Sequence, residues 1–99
     1  MNVAEFRESL KEKLPPAELS HALQALWWDA KQDWDRAHEA AQQDEGTDGA
    51  WVHAYLHRKE GDLPNAQYWY RRAERAVGYG DLQREWEKIA AELLKGSGQ

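Results

Sequence analysis

Apolar residues recur along this chain with the spacing of α-helices, and no segment alternates with the two-residue period of a half-buried strand. The clearest stripe starts at Leu19 and continues at offsets of 3, 4, 7, 8 and 11 residues, which places its members on one side of a helix. Three further stripes comprise Val3, Phe6 and Leu10; Ala66, Trp69, Tyr70, Ala73, Ala76 and Val77; and Leu82, Trp86, Ile89, Ala90 and Leu93. The pattern predicts an all-α fold, a compact bundle of about six helices.

Capping residues and helix breakers divide the pattern into elements. Pro15 and Pro16 predict the end of one helix and the start of the next, and Gly61 predicts another helix end. The predicted N-caps are Asn2, Asp33, Thr47 or Asp48, and Asp62. We predict one helical domain over residues 1–95, with helical hairpins at about 17–44 and 47–78, capping helices at about 2–13 and 81–95, and a flexible tail at 96–99.

Composition narrows the class of protein. The chain has no cysteine, so disulfides and thiolate metal ligands are excluded. It has neither a signal-peptide pattern nor an apolar run of membrane-spanning length, which predicts a cytoplasmic protein without a membrane partner. The net charge of −5 disfavours binding to a nucleic-acid backbone. Six tryptophans are a high count, and core packing is the simpler explanation for each of them.

The charge is distributed unevenly between the two predicted hairpins. Residues 18–48 hold eight acidic side chains against two basic ones, whereas residues 49–75 hold three acidic side chains against five basic ones, four of them arginines. Tyr68, Arg71, Arg72 and Arg75 form the candidate cationic patch of the second half. Two interpretations remain open: the patch pairs with the acidic first hairpin, or it binds an acidic peptide or a carboxylate terminus.

The two hairpins follow one plan when the first is laid over the second at an offset of 29 residues, since Asp33 then falls on Asp62 and Ala37 on Ala66. The segment "EGDLPNAQYWYRRA" resembles the turn and second helix of a tetratricopeptide-type repeat, including the Sel-type variants. The resemblance covers roughly residues 18–78 and rests on Gly61, Asp62, Ala66, Tyr70 and Ala73, whereas Gly78 stands where that family usually has proline. It implies two stacked tetratricopeptide-like hairpins, flanked by capping helices, that act as a protein-interaction module.

Periodicity and family register disagree about the histidines of the second hairpin. On a helical wheel, His53 and His57 lie opposite the apolar arc of their helix, which turns them toward solvent. The repeat register instead packs them between helices. We favour the wheel, which predicts an outward candidate binding surface of His21, Gln24, Trp28, His53 and His57.

Candidate chemistry is sparse. His53 and His57 are spaced as two metal ligands on one helix, and a metal would need His38, His21 or a carboxylate as a third. The glutamate of an H-E-x-x-H protease is absent between them, and no serine lies in a nucleophile-elbow context. We therefore predict a non-enzymatic adaptor or scaffold module without a cofactor, whose partner is another protein or an acidic peptide. The alternative is a small-ligand or metal-binding protein that uses the His/Trp surface; homo-oligomerisation stays open.

Overall fold

The computed structural model describes residues 1–96 and contains helices and turns throughout that range. The elements are α1 (Val3–Glu8), a 3₁₀ helix (Ser9–Lys11), α2 (His21–Ala30), α3 (Trp34–Gln43), α4 (Thr47–Glu60), α5 (Leu63–Arg72) and α6 (Leu82–Gly96). The prediction of an all-α bundle of about six helices is confirmed for this part of the chain. Of the predicted tail, Gly96 ends α6, and 97–99 lie outside the described residues.

Local capping explains where the first two helices begin. The side chain of Asn2 accepts a hydrogen bond from the Glu5 N–H at 2.8 Å, and the Glu5 carboxylate accepts one from the Asn2 N–H at 2.9 Å. The predicted start of α2 at the proline pair is wrong. Ser20 caps that helix by accepting the Leu23 N–H at 3.2 Å, so α2 begins at His21 and the chain before it forms turns.

The turns of the two hairpins are built alike. The residue in the left-handed region is Gln32 in the first turn, with φ of 64°, and Gly61 in the second, with φ of 93°. The next residue, Asp33 or Asp62, donates its N–H to the carbonyl oxygen five residues earlier, at 3.0 Å in both turns. Each aspartate then caps the following helix with its side chain. The same hydrogen bonds therefore reverse the chain at equivalent places.

Two other predicted boundaries differ from the structure. Gly46, not Thr47 or Asp48, is the N-cap of α4, and it makes no side-chain capping bond. Helix α5 ends at Arg72 instead of continuing to about 78, because Glu74 adopts φ of 59° and terminates it. Val77 is 48% exposed as a result, although it shares the periodic stripe of the helix.

Helix α4 is the centre of the bundle. It packs against α5, α3, α2 and α6, and its residues from Gly49 to His57 are buried. Helix α6 crosses α2 and α4, and the indole N–H of Trp86 donates to the carbonyl oxygen of Leu26 at 3.1 Å. Helix α1 packs on α6, where the rings of Phe6 and Trp86 stack at 5.6 Å. The central position of α4 decides the environment of its histidines.

A buried polar network joins α4, α5 and α6. The Glu85 carboxylate accepts a hydrogen bond from Arg58 Nη1 at 2.6 Å and another from the hydroxyl of Tyr70. Arg58 Nη2 also donates to the carbonyl oxygen of Gly80 at 2.5 Å. The Arg58 and Glu85 side chains are only 12% and 8% exposed. The network therefore fixes α6 and the loop before it against the second hairpin.

Candidate functional site

The two histidines of α4 are packed inside the bundle. His53 is 5% exposed and His57 is 8% exposed, so the prediction that they face solvent is wrong. Helices α3 and α5 flank α4 and cover the side that the helical wheel assigned to water. The inward register implied by the repeat resemblance is the arrangement found. Periodicity failed because α4 is surrounded by helices, so its polar side is buried as well as its apolar side.

Helix α3 brings a third histidine to this pair. His38 Nε2 lies 3.0 Å from His53 Nε2, and the His53 and His57 rings stack with centroids 4.8 Å apart. One ring nitrogen from each histidine lies within 4.8 Å of the other two. We call His38, His53 and His57 the histidine cluster. His38 was one of the third ligands predicted from the sequence, and the structure selects it over His21, which is exposed on α2.

Two tryptophans and one carboxylate complete the surroundings of the histidine cluster. The Trp69 indole stacks on His53 with centroids 4.0 Å apart, and the Trp34 indole stacks on His38 at 5.6 Å. The carboxylate of Glu60 lies 3.3 Å from His57 Nδ1. The contacts of these three residues with the histidines were not predicted from the sequence. The available signal was spacing, because Trp34 and His38 are four residues apart on one helix, as are His53 and His57.

Burial lowers the pKa of two members of the cluster, His38 and His53. Loss of hydration, together with repulsion from positive charge on His38 and His57, lowers the pKa of His53 to about 4. The pKa of His38 is lowered for the same reasons, against the attraction of Glu60 and Asp35. His38 and His53 are therefore neutral near pH 7, and one of them donates the hydrogen bond that joins their Nε2 atoms.

Metal-free protein should lose stability in acid through His53. Its pKa is about 4 in the folded state against 6.5 for the unperturbed side chain, so the unfolded chain binds more protons between these values. This contribution to the free energy of unfolding is complete above about pH 6.5 and falls as the pH drops toward 4. Each unit of difference between the two pKa values corresponds to at most about 1.4 kcal/mol. We expect a smaller total loss in the free energy of unfolding, about 2 kcal/mol, because the site can relax around the protonated ring.

Urea unfolding at several pH values in the presence of a chelator measures this loss. His53→Phe keeps an aromatic ring against Trp69 and removes the titration, so its stability should fall less between pH 7 and pH 4.5 than that of the wild type. His21→Phe is the control at an exposed position and should retain the wild-type slope. Equal slopes for wild type and His53→Phe would contradict the assignment.

An open groove leads from the surface to the histidine cluster. It encloses about 560 Å³ and lies between the connection from α3 to α4 and the outer part of α5. His53, Trp69 and Arg72 line it, together with Asp44 and Thr47. Gly49 allows the connection to lie this close, since a Cβ atom there would overlap the backbone of Asp44. His53 therefore has a route to solvent.

The remaining members of the predicted outward surface do not join His53 and His57. His21 is exposed, and the side-chain amide of Gln24 donates to the carbonyl oxygen of Leu19 at 2.9 Å. Trp28 is half-buried beneath the guanidinium of Arg36, 4.6 Å from its ring centre. The continuous strip predicted from the sequence is therefore wrong, because two of its five members are core residues.

The candidate cationic patch divides into two parts. Arg72 lies over the rings of Tyr68 and Trp69 and donates to the Tyr68 hydroxyl at 3.1 Å, and Tyr68 is 45% exposed. Arg71 is exposed and makes no ion pair within residues 1–96. Arg75 instead covers the Trp51 ring at 3.7 Å and pairs with Glu92 of α6. We call Tyr68, Arg71 and Arg72 the α5 surface.

Ion pairing with the acidic first hairpin does not account for the α5 surface. Over the described range, the only ion pair found between the two hairpins joins Lys59 to Asp29 at 2.9 Å, and Lys59 is not a member of the patch. Of the two interpretations left open by the sequence, pairing between the halves is therefore wrong for Arg71 and Arg72.

Comparisons of the chain with protein-family models, with curated proteins and with solved structures gave no match. Within residues 1–96, no helix combines the length and the apolar character needed to cross a membrane.

Proposed function

We propose that this protein is a non-enzymatic, cytoplasmic interaction module that binds an acidic segment of another protein on the α5 surface. The observation that carries the proposal is the pair of exposed guanidinium groups, Arg71 and Arg72, with no carboxylate partner among residues 1–96. In a chain of net charge −5, a free cationic site of this kind attracts anionic groups selectively to one place. The resemblance of the hairpins to tetratricopeptide-type repeats is consistent with this role.

The surroundings of Arg72 support peptide binding over binding of a simple ion. Tyr68 and Trp69 hold the guanidinium against aromatic faces, which fixes its direction and lowers the entropy lost on binding a carboxylate. The groove of about 560 Å³ begins beside Arg72 and can receive a side chain of the bound segment. A planar guanidinium binds a carboxylate through two parallel hydrogen bonds, which favours Asp, Glu or a C-terminal carboxylate as the contact.

Fluorescence anisotropy with labelled peptides tests the proposal. We expect a peptide rich in Asp and Glu to bind with a Kd of about 100 μM or tighter, and a Lys-rich peptide of the same length not to bind. Arg72→Glu should weaken binding at least about tenfold, since it removes the carboxylate contact and introduces repulsion. Raising NaCl from about 0.05 M to about 0.3 M should weaken the wild-type complex.

Lys13→Glu is the charge-matched control. It changes the net charge by the same amount as Arg72→Glu at an exposed position outside the α5 surface, so its binding should stay near that of the wild type. An acidic peptide with a free C-terminus is compared with its amidated form. The difference in Kd shows whether the surface binds internal acidic side chains or the terminal carboxylate. Equal weakening by Lys13→Glu and Arg72→Glu would reduce the effect to net charge and contradict a specific surface.

A further inference from the structure

We propose that His38, His53 and His57 form a binding site for a divalent transition-metal ion, with Zn²⁺ as the ion taken and solvent water as the fourth ligand. The site would lie between α3 and α4, at the inner end of the groove that also borders Arg72. None of its ligands belongs to the α5 surface, so the proposal does not depend on the proposed interaction with an acidic segment. It develops the alternative function considered from the sequence, with a ligand set that the sequence alone left incomplete.

The distances within the histidine cluster fit a metal site. A tetrahedral Zn²⁺ ion with bonds of about 2.0–2.1 Å to nitrogen places its ligand atoms about 3.4 Å apart. His38 Nε2 and His53 Nε2 are 3.0 Å apart, and the three candidate ligand atoms lie within 4.8 Å of one another. Small rotations of the rings about their side-chain bonds therefore suffice to place three nitrogens around one ion.

The backbone already fixes the ligands in position. His53 and His57 lie one turn apart on α4, the most enclosed helix of the bundle, and His38 projects from the neighbouring α3. The stacked indoles of Trp34 and Trp69 restrict the His38 and His53 rings. Ligands that are ordered before binding lose little conformational entropy when the ion arrives. This arrangement distinguishes the cluster from scattered surface histidines.

Glu60 supplies the outer contact that such sites use. Its carboxylate lies 3.3 Å from His57 Nδ1, so Nδ1–H can donate to it and Nε2 is left with its lone pair for a metal. A carboxylate behind a ligating imidazole fixes the tautomer and increases the basicity of the bound nitrogen. The negative charge also offsets part of the charge of the ion, because three neutral imidazoles contribute none.

The donor set selects the class of metal. Imidazole nitrogens suit Zn²⁺, Cu²⁺, Ni²⁺ and Fe²⁺, whereas Mg²⁺ and Ca²⁺ prefer oxygen ligands. The absence of cysteine removes the thiolates of Cu⁺ and iron–sulfur sites. Three histidines with a solvent position open through the groove beside His53 match the coordination of open zinc sites.

Isothermal titration of chelator-treated protein with ZnCl₂ tests the proposal. We expect one Zn²⁺ per chain with a Kd of about 10 μM or tighter, and a rise in Tm of at least about 5 °C at saturation. MgCl₂ should give neither signal. In NMR spectra, Zn²⁺ should shift the imidazole resonances of the three cluster histidines and leave those of His21 unchanged, a result that needs no variant protein.

Substitutions assign the ligands. His38→Asn, His53→Asn and His57→Asn should each weaken Zn²⁺ binding at least about tenfold, and His21→Asn should bind as the wild type does. Glu60→Gln should weaken binding about tenfold while keeping the stoichiometry, because it alters only the outer contact. Circular dichroism checks that each variant is helical before its affinity is compared.

The outcomes separate clearly. No saturable Zn²⁺ binding by the wild type, or resonance shifts at His21 in place of the histidine cluster, would overturn the proposal. Binding of Ni²⁺ or Cu²⁺ at the same three histidines without binding of Zn²⁺ would overturn the choice of ion. A stoichiometry of one ion per two chains with all three histidines required would overturn the single-chain site and indicate a bridged pair.

Discussion

Glu85→Ala should destabilise the fold by about 3–5 kcal/mol, since it leaves a buried cation without its partner. The Arg58 side chain is 12% exposed and donates to Glu85 at 2.6 Å, and its other contact is the carbonyl oxygen of Gly80. Without the carboxylate, the guanidinium stays buried with too few acceptors. The Tyr70 hydroxyl loses its acceptor in the same change, and an unpaired buried hydroxyl adds to the cost.

Urea unfolding followed by tryptophan fluorescence measures the change, with the slope of free energy against urea concentration compared between variants. Glu92→Ala is the matched control, because Glu92 also pairs with an arginine at 3.1 Å but both side chains are about 40% exposed. That variant should lose less than about 1 kcal/mol. If the two glutamate variants were equally stable, burial would not govern the strength of these pairs and the description of the network would be wrong.

The sequence predicted most of the fold because helical periodicity and capping act locally. Only a few neighbouring residues determine each of these signals, which include the stripe from Leu19, the aspartate caps at Asp33 and Asp62, and the helix end at Gly61. The predicted end of α5 was wrong because backbone conformation overrode periodicity. Glu74 enters the left-handed region and ends α5, although the apolar stripe continues beyond it to Val77.

The candidate site was harder to predict because it depends on how helices surround one another. A helical wheel describes one helix, and α4 has an apolar arc that would normally face a core on one side only. Helices α3 and α5 pack on its other side as well, so His53 and His57 are buried. The approach of His38 needs the path of the chain between α3 and α4, which residue spacing alone does not give.

The two adjacent tryptophans of α2 should respond differently to truncation, which decides between their roles as core and as surface. Trp27 is completely buried, its indole N–H donates to Ser9 Oγ at 3.1 Å, and its ring helps to hold the N-terminal segment on α2. Trp27→Ala should therefore cost about 3–5 kcal/mol, from lost burial and the cavity that remains.

A domain of this size has a total stability of about 5–10 kcal/mol, so part of the Trp27→Ala population should unfold near 37 °C. Trp28 is half-buried, and Trp28→Ala should cost about 1–2 kcal/mol. Thermal melts and urea titrations of both variants give the comparison. Equal losses would mean that the core does not discriminate between these neighbouring side chains, contrary to the packing of α2.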